Sequence, residues 1–480
     1  MIKIKMKTKG IDMRSAFPDG LSGSGFKQRA RRFPLLRLVC LALLGLCLSC
    51  SQKAAEPAGP STLLERLRRV PGFQVNEIVP PIQGFAETFQ IIFSQQIDHQ
   101  DAGRGTFQQL FFLSDRGQSL PMVFYTSGYG CPAYSYVSEL AALLDCNQIV
   151  MGHRFFSDNI PQDWNDLTIR QAADDQHAIR EALEDIYQGK WVSTGASKGG
   201  MCSLYYRRFY PEDVAATVAY VAPLMNLPDD PRFAPFLQQV GTPECRRKIV
   251  DFQRLALSRR SGLMPLFRQH AQDKGYVFTI IPEEAAFEYA VLEYRFAFWQ
   301  YGKESNCAGI PGPDATDQEI LNHLVATSSP VYYGDTSFLY YQPLFYQAYT
   351  EIGYCPYVFD DLRDLLQAVP APTYRAFAPV GADLVFRPEV MQDVVPWLQT
   401  QGERILYIYG GIDPWSAAAL YPAPGLDALQ VVQPGANHGV KIRDLDQKDL
   451  VIQTLERWLG IKINTSGLAK WEAPPERDRL

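Results

Sequence analysis

Gly195-Ala196-Ser197-Lys198-Gly199 sets a hydroxyl between small residues, and Gly200 follows it. A serine hydroxyl is a poor nucleophile until a base removes its proton, and a histidine held by a carboxylate is the usual base. Both types stand downstream: Asp413 in Gly410-Gly411-Ile412-Asp413-Pro414-Trp415, and His438 in Pro434-Gly435-Ala436-Asn437-His438-Gly439. Of six histidines, His438 is the only one beyond Asp413. Together the three support acyl transfer through a covalent serine intermediate. Asp427 is the alternative acid, although it precedes an apolar stretch where Asp413 follows one. His177 reads as a helix residue, and His153, His270 and His323 as surface or packing residues. The oxyanion formed on attack needs preorganised N–H donors. The amide of Lys198 is one, and the loop Thr126-Ser127-Gly128-Tyr129-Gly130 supplies the other from Gly128 or Tyr129.

Strand ends are what position such residues. Trp191-Val192-Ser193-Thr194 reads as a strand running into the serine motif, and 198–209 reads as the helix leaving it, which is the strand-turn-helix setting of a nucleophile elbow. Asp413 follows an apolar strand at 404–409 and His438 follows another at 429–433. The order Ser, Asp, His is that of α/β-hydrolases. Upstream, apolar segments 121–126, 148–152, 190–194 and 215–221 alternate with helical patterns at 134–144, 168–187 and 198–209. That alternation predicts crossover units on a parallel sheet. Segments 86–97 and 105–113 predict an opening antiparallel pair, and 446–458 a final helix. Between the two groups of strands the pattern turns helical, with amphipathic stretches at 245–271 and 283–301. The expected architecture is an α/β-hydrolase fold with a mostly parallel central sheet, in two parts (63–228 and 390–465), and an inserted helical cap (229–389). A polar tail, 466–480, is expected to be exposed or disordered.

The chain has 480 residues, 46% hydrophobic and 20% charged, with a formal net charge of −6. With no long basic run beyond the first forty residues, a nucleic-acid partner is excluded. At the N-terminus, Arg29, Arg31, Arg32 and Arg37 precede an apolar run at 38–48 that is too short to span a bilayer. The run ends in Leu48-Ser49-Cys50, a small residue before a cysteine, as in bacterial lipoprotein signals. Residues 1–50 are accordingly read as a signal ending at a lipidated Cys50, followed by a flexible tether, 51–62. The expectation is an exported lipoprotein, membrane-anchored and facing the periplasm or cell surface. A soluble secreted protein with an ordinary cleaved signal is the alternative. Six cysteines then remain (Cys131, Cys146, Cys202, Cys245, Cys307, Cys355), able to pair in an oxidising compartment in a connectivity the sequence leaves open. With no C-x-x-C and no Cys/His cluster, neither a metal nor a cofactor is expected.

Longer stretches carry a family resemblance. Trp164-Asn165-Asp166-Leu167-Thr168-Ile169-Arg170-Gln171-Ala172-Ala173, then 189–201 around Ser197, and Ala219-Tyr220-Val221-Ala222-Pro223 resemble the secreted actinobacterial tripeptidyl and tetrapeptidyl aminopeptidases of serine peptidase family thirty-seven. His153-Arg154-Phe155-Phe156 and Asp413-Pro414-Trp415 are also similar to segments of the lysosomal Pro-Xaa carboxypeptidase group, with Gly152 replacing a glutamate there. The resemblance implies a peptidase that releases tri- or tetrapeptides from free N-termini, with preference around proline, using Ser197, Asp413 and His438.

Such a reaction asks two things of the cap. A proline ring needs an apolar wall, and Phe287, Tyr289, Tyr294, Phe296, Phe298, Trp299, Tyr340, Tyr341, Phe345 and Tyr346 are available to form one. The substrate ammonium needs a carboxylate. Glu283, Glu284, Glu288 and Glu293 share one predicted helix, and Glu288 and Glu293 are favoured because they sit among aromatics. Two other readings stand beside the peptidase: an esterase or lipase of the same fold, and a non-catalytic surface lipoprotein that binds peptides or glycans.

Overall fold

The computed structural model describes residues 61–471 apart from 134–135, 157–160 and 162. Cys50, the tether up to residue 60 and residues 472–480 lie outside the described residues. A short helix, α1 (Leu63–Arg68), opens the chain behind a Thr62/Glu65 capping box. It leads into β1 (Phe73–Glu77), which the sequence pattern had not announced. β2 (Glu87–Gln96) and β3 (Thr106–Asp115) pair antiparallel over their full length, and Phe89 and Ile91 are fully buried on the inward face.

Beyond β3 the strands shorten to five or six residues, and all but the last are buried on both faces, as parallel strands covered by helices must be. β4 (Met122–Thr126), α2 (Glu139–Leu144), β5 (Asn147–Met151), α3 (Ile169–Ala182), β6 (Trp191–Ala196), α4 (Lys198–Phe209) and β7 (Ala216–Tyr220) follow in turn. After a long helical excursion the sheet is completed by β8 (Ile405–Gly410) and β9 (Leu429–Gln433). Among the described residues the sheet has nine strands in the order β1-β2-β3-β5-β4-β6-β7-β8-β9. Every pairing from β5/β4 to β8/β9 is parallel, and those of β1, β2 and β3 are antiparallel. The swap of β4 and β5 in an otherwise sequential order, with a strand-turn-helix after β6, makes this an α/β-hydrolase fold.

The excursion between β7 and β8 holds α5 (Phe233–Gln239), α6 (Pro243–Ser258), α7 (Arg260–Lys274), α8 (Glu283–Tyr301), α9 (Asp317–Thr327), α10 (Asp335–Gln347) and α11 (Pro388–Thr400). The amphipathic stretch expected at 245–271 is two helices. Arg259 leaves helical geometry (φ −91°, ψ 15°), and its guanidinium donates to the carbonyls of Pro313 and Ala315 in the loop before α9. Helix α8 is buried nearly all round, which suits a helix wrapped by its neighbours. Helix α11 begins two residues before the expected boundary at 390 and packs on α4 of the sheet layer. A disulfide joins Cys245 at the start of α6 to Cys307 beyond α8, with Cα atoms 5.4 Å apart. Cys131, Cys146, Cys202 and Cys355 are free thiols.

Helix α12 (Lys448–Leu459) closes the sheet layer and is followed by α13 (Ser466–Lys470). Here the first part of the expected exposed tail, 466–471, is corrected. Leu468 and Trp471 are buried, α13 packs on α2, and the Trp471 indole donates to the Val137 carbonyl at 2.8 Å. Two apolar residues in a polar stretch were enough to dock it. No helix among the described residues is long and apolar enough to cross a membrane.

Candidate active site

Ser197 sits between the last residue of β6 and the first of α4 with φ +55° and ψ −124°, a conformation costly for a residue with a Cβ. Its amide is tied to the carbonyl of Tyr220 at the end of β7, at 2.9 Å. The turn is tight because the residues around it are glycines. A Cβ on Gly199 would lie 2.3 Å from the Thr126 carbonyl oxygen, so only glycine lets the start of α4 approach the end of β4. Gly128, at φ +77°, closes the same contact from the other side: a Cβ there would lie 2.5 Å from the Gly199 nitrogen.

Asp413 leaves the end of β8 in a tight turn and is completely buried. One carboxylate oxygen accepts from the Trp415 amide at 3.1 Å, and the other lies 2.7 Å from His438 Nδ1. That contact occupies Nδ1 and leaves Nε2 as the ring nitrogen that can act as a base, and His438 lines the cleft. His438 leaves the end of β9, and its loop is held from the inserted helices. The His438 amide donates to the Gln300 carbonyl at 3.0 Å, and the Asn437 side chain donates to the carbonyls of Tyr301 and Gly302 at 2.9 and 3.0 Å. The exposed carbonyls at the end of α8 thus find donors in the histidine loop. Asp427, the alternative acid, is engaged elsewhere, with Arg457 and the Trp458 indole.

Ser197 and His438 open onto one cleft of about 450 Å³ between the strand ends and the inserted helices. Tyr301, Tyr332, Tyr333, Tyr340, Tyr341, Phe345, Tyr354, Tyr374, Phe377, Trp415 and Trp471 form its aromatic wall. Of the rings expected there, Tyr340, Tyr341 and Phe345 reach it. Phe287, Tyr289, Tyr294, Phe296, Phe298, Trp299 and Tyr346 are buried in apolar clusters instead. The missed rings lie in irregular segments, or at the ends of elements, where no periodicity marks a face.

Two carboxylates line the cleft, and they differ in what holds them. Glu139, which sequence reasoning overlooked, accepts from the amides of Ile442 and Arg443 and from the Tyr220 hydroxyl, at 2.9 to 3.1 Å. It thereby braces the segment just after His438. Glu293 has the Tyr374 hydroxyl as its partner, and burial pushes its carboxyl up to about 7. Glu288 is not in the cleft. It is fully buried beneath it, accepts from the amides of Gln367, Ala368 and Val369, and pairs with Arg260. The helical spacing explains the split, since positions 288 and 293 lie on different faces of α8. Glu283 and Glu284 are spent on Arg268.

Around the serine, Lys198 is buried with its ammonium 2.8 Å from the Gly128 carbonyl oxygen. Desolvation lowers its pKa to about 8. The Tyr129 amide donates to Ser127 Oγ at 3.0 Å. Among the described residues no group of three His, Cys, Asp or Glu side chains is disposed to hold a metal ion.

A hydroxyl on a strained turn, an imidazole held by a buried carboxylate and an enclosed aromatic cleft suit acyl transfer on a peptide. Sequence comparison with known proteins agrees. Over 443 residues the chain is 33% identical to the prolyl tri/tetrapeptidyl aminopeptidase of Streptomyces mobaraensis, covering 90% of this chain and 92% of that one. A shorter match, 26% over 192 residues, relates 35% of the chain to 39% of the lysosomal Pro-X carboxypeptidase of Mus musculus. Among solved structures, the proline iminopeptidase of Mycobacterium smegmatis superposes with a TM-score of 0.35 at 15% identity, covering 80% of this chain and 99% of that one. Residues 55–469 match the PS-10 peptidase S37 family, and this chain, a serine peptidase, belongs to it.

Proposed function

We propose that the protein is an exopeptidase that releases tri- or tetrapeptides from free N-termini, with preference around proline, through an acyl-enzyme on Ser197. The observation that carries this reading is Glu293. It shares the cleft with Ser197 and His438, it stands among rings, and unlike Glu139 it accepts no backbone amide among the described residues. A substrate ammonium supplies the charge that a half-desolvated carboxylate lacks. Spacing supports the peptide length. Glu293, Ala297, Gln300 and Tyr301 line the cleft as one stripe of α8, whose far end holds the His438 amide. Seven residues of helix measure about 10 Å. Three residues of extended peptide span about the same.

In the proposed reaction His438 Nε2 takes the Ser197 proton as Oγ attacks the scissile carbonyl. The resulting oxyanion is held by the Lys198 amide together with an amide of the Gly128–Tyr129 loop. As the C–N bond breaks, His438 returns the proton to the leaving amine. Water, deprotonated by His438, then attacks the ester, and His438 returns that proton to Ser197 Oγ as the C–O bond breaks and the short peptide leaves, losing its carboxyl proton to solvent. Asp413 keeps the imidazole oriented and stabilises its cationic form.

The experiment is a panel of chromogenic di-, tri- and tetrapeptides ending in proline or alanine, each offered with a free and a blocked N-terminus. Cleavage confined to the free tri- and tetrapeptides is expected. Equal turnover of blocked peptides, or turnover of simple esters alone, overturns the reading.

We also propose export and lipid attachment at Cys50, with the enzyme on the periplasmic or outer face of a membrane. The support is the basic stretch, the short apolar run and the Leu48-Ser49-Cys50 junction. Labelling with a radioactive fatty acid that persists in Cys50→Ala would reject it.

A further inference from the structure

Lys198 is the residue after the nucleophile, and its side chain turns inward rather than to solvent, with 3% exposed. Its ammonium donates to the Gly128 carbonyl at 2.8 Å and lies 5.6 Å from the Tyr129 ring centre and 5.2 Å from that of Phe156. Among the described residues no carboxylate pairs with it. An unpaired buried ammonium is expensive, and a hydrophobic side chain of similar length would be cheaper for packing alone.

We propose that the Lys198 side chain is a positioning residue that holds the Gly128–Tyr129 peptide unit as the second oxyanion donor. The inference rests on Ser197 being the nucleophile and goes beyond it. The Gly128 carbonyl and the Tyr129 N–H belong to one planar trans peptide, so fixing the oxygen fixes the direction of the N–H. Donation from a cation also polarises that peptide and strengthens its donor. In the resting enzyme the Tyr129 amide rests on the neutral Ser127 hydroxyl at 3.0 Å, an acceptor that a developing oxyanion replaces. The loop sits directly on the elbow, where a Cβ at Gly128 would strike Gly199. One residue therefore supplies the first donor with its backbone and steers the second with its side chain, which sets the spacing between them.

The test is Lys198→Met, read by steady-state kinetics and by two ligands. A peptidyl boronate mimics the tetrahedral intermediate, and the product peptide makes no oxyanion. The expected result is a kcat lower by about 10²-fold, comparable with loss of one oxyanion donor, with KM within threefold. Boronate affinity should fall in parallel and product affinity should hold. Partial recovery of turnover in Lys198→Ala on adding propylammonium would show that the missing group is the cation. A folded Lys198→Met with kcat within threefold of wild type overturns the proposal. So does a parallel loss of boronate and product affinity, which would mark a merely structural role. If Lys198→Met does not fold, Lys198→Leu, which likewise removes the donor to Gly128, carries the same comparison of ligands. Wild-type enzyme that turns over peptides without phosphonate labelling of Ser197 removes the underlying reading instead.

Discussion

The two halves of the cleft are built on different principles. On the sheet side, each functional group stands at the carboxyl end of its own strand: Ser197 after β6, Asp413 after β8, His438 after β9. Backbone bonds between neighbouring strands set their separation, and a few local residues, above all the glycines of the elbow, set their direction. On the helical side, Glu293 and most of the aromatic wall come from α8, α10 and irregular segments that only packing brings together, while Trp415 and Trp471 come from the sheet side. The sheet side supplies a reaction that any acyl compound could undergo, and the helical side decides which acyl compound arrives. The two halves meet at several points, among them the α8 carbonyls on the histidine loop and the Tyr340 hydroxyl, which accepts from the Gly130 amide at 3.0 Å.

Removing the chemistry should cost most. Ser197→Ala is expected to lower kcat by about 10⁵- to 10⁶-fold, and Asp413→Asn by about 10⁴-fold through loss of the imidazole's orientation. Thermal unfolding should confirm that Ser197→Ala remains folded. Retention of more than a hundredth of wild-type turnover in Ser197→Ala would dissolve the comparison, since the sheet side would then not hold the nucleophile.

Substitution on the helical side should cost less and act selectively. Glu293→Gln is expected to lower kcat/KM for free-amine peptides by about 10²-fold and to leave N-acetylated peptides unchanged. The pH dependence sharpens this. Glu293 must be ionised to hold an ammonium, so wild-type kcat/KM should climb as pH rises through about 7, and the glutamine variant, left with only the requirement for an unprotonated His438, should climb less steeply. Stability should move the other way. A carboxyl whose folded pKa lies above its unfolded value binds more protons folded than unfolded in the window between the two. Ionising Glu293 therefore destabilises the fold as pH rises from about 4.5 to about 7. Glu293→Gln should accordingly be more stable than wild type at pH 8, measured by denaturant midpoint.

The same contrast governs what could be read from sequence. The elbow was legible because five consecutive residues impose the turn, and Asp413 and His438 because each follows a recognisable apolar strand. The fold class followed from strand and helix alternation alone. The cleft wall was not legible. Tyr354, Tyr374 and Trp415 lie in loops or short turns, and facing the cleft depends on contacts with residues far away in the chain. Glu288 and Glu293 look equivalent in the sequence, yet the loop at Gln367 to Val369 donates three amides to one and none to the other. Glu139 went unnoticed because its partners, Ile442 and Arg443, are about three hundred residues downstream.

The junction between the halves should show an intermediate effect. Asn437→Ala removes two hydrogen bonds to the end of α8 while leaving the His438 side chain in place. Loss of these two bonds at about 1 kcal/mol each, together with the bond that Asn437 Oδ1 accepts from the Gly439 amide, predicts a fall in kcat of about thirtyfold, with KM little altered. A pure KM effect would mean that the α8 contact serves the substrate pocket and not the base.

The smallest effect on turnover is expected where the helical side is only braced. The Cys245–Cys307 disulfide closes a loop of 62 residues around α8, tying the start of α6 to the segment that follows α8. Cross-linking a loop of this length stabilises by about 2 to 4 kcal/mol, chiefly by restricting the unfolded chain. The double substitution Cys245→Ser with Cys307→Ser should therefore lower the denaturant midpoint clearly. In the folded enzyme kcat should stay within about twofold, because the strand ends still carry Ser197, Asp413 and His438 and the α8 carbonyls still meet the histidine loop. A large fall in kcat without one in stability would mean that the bond sets the geometry of His438 through α8. In that case the two halves act as one unit, and the division between reaction and selection fails at this point.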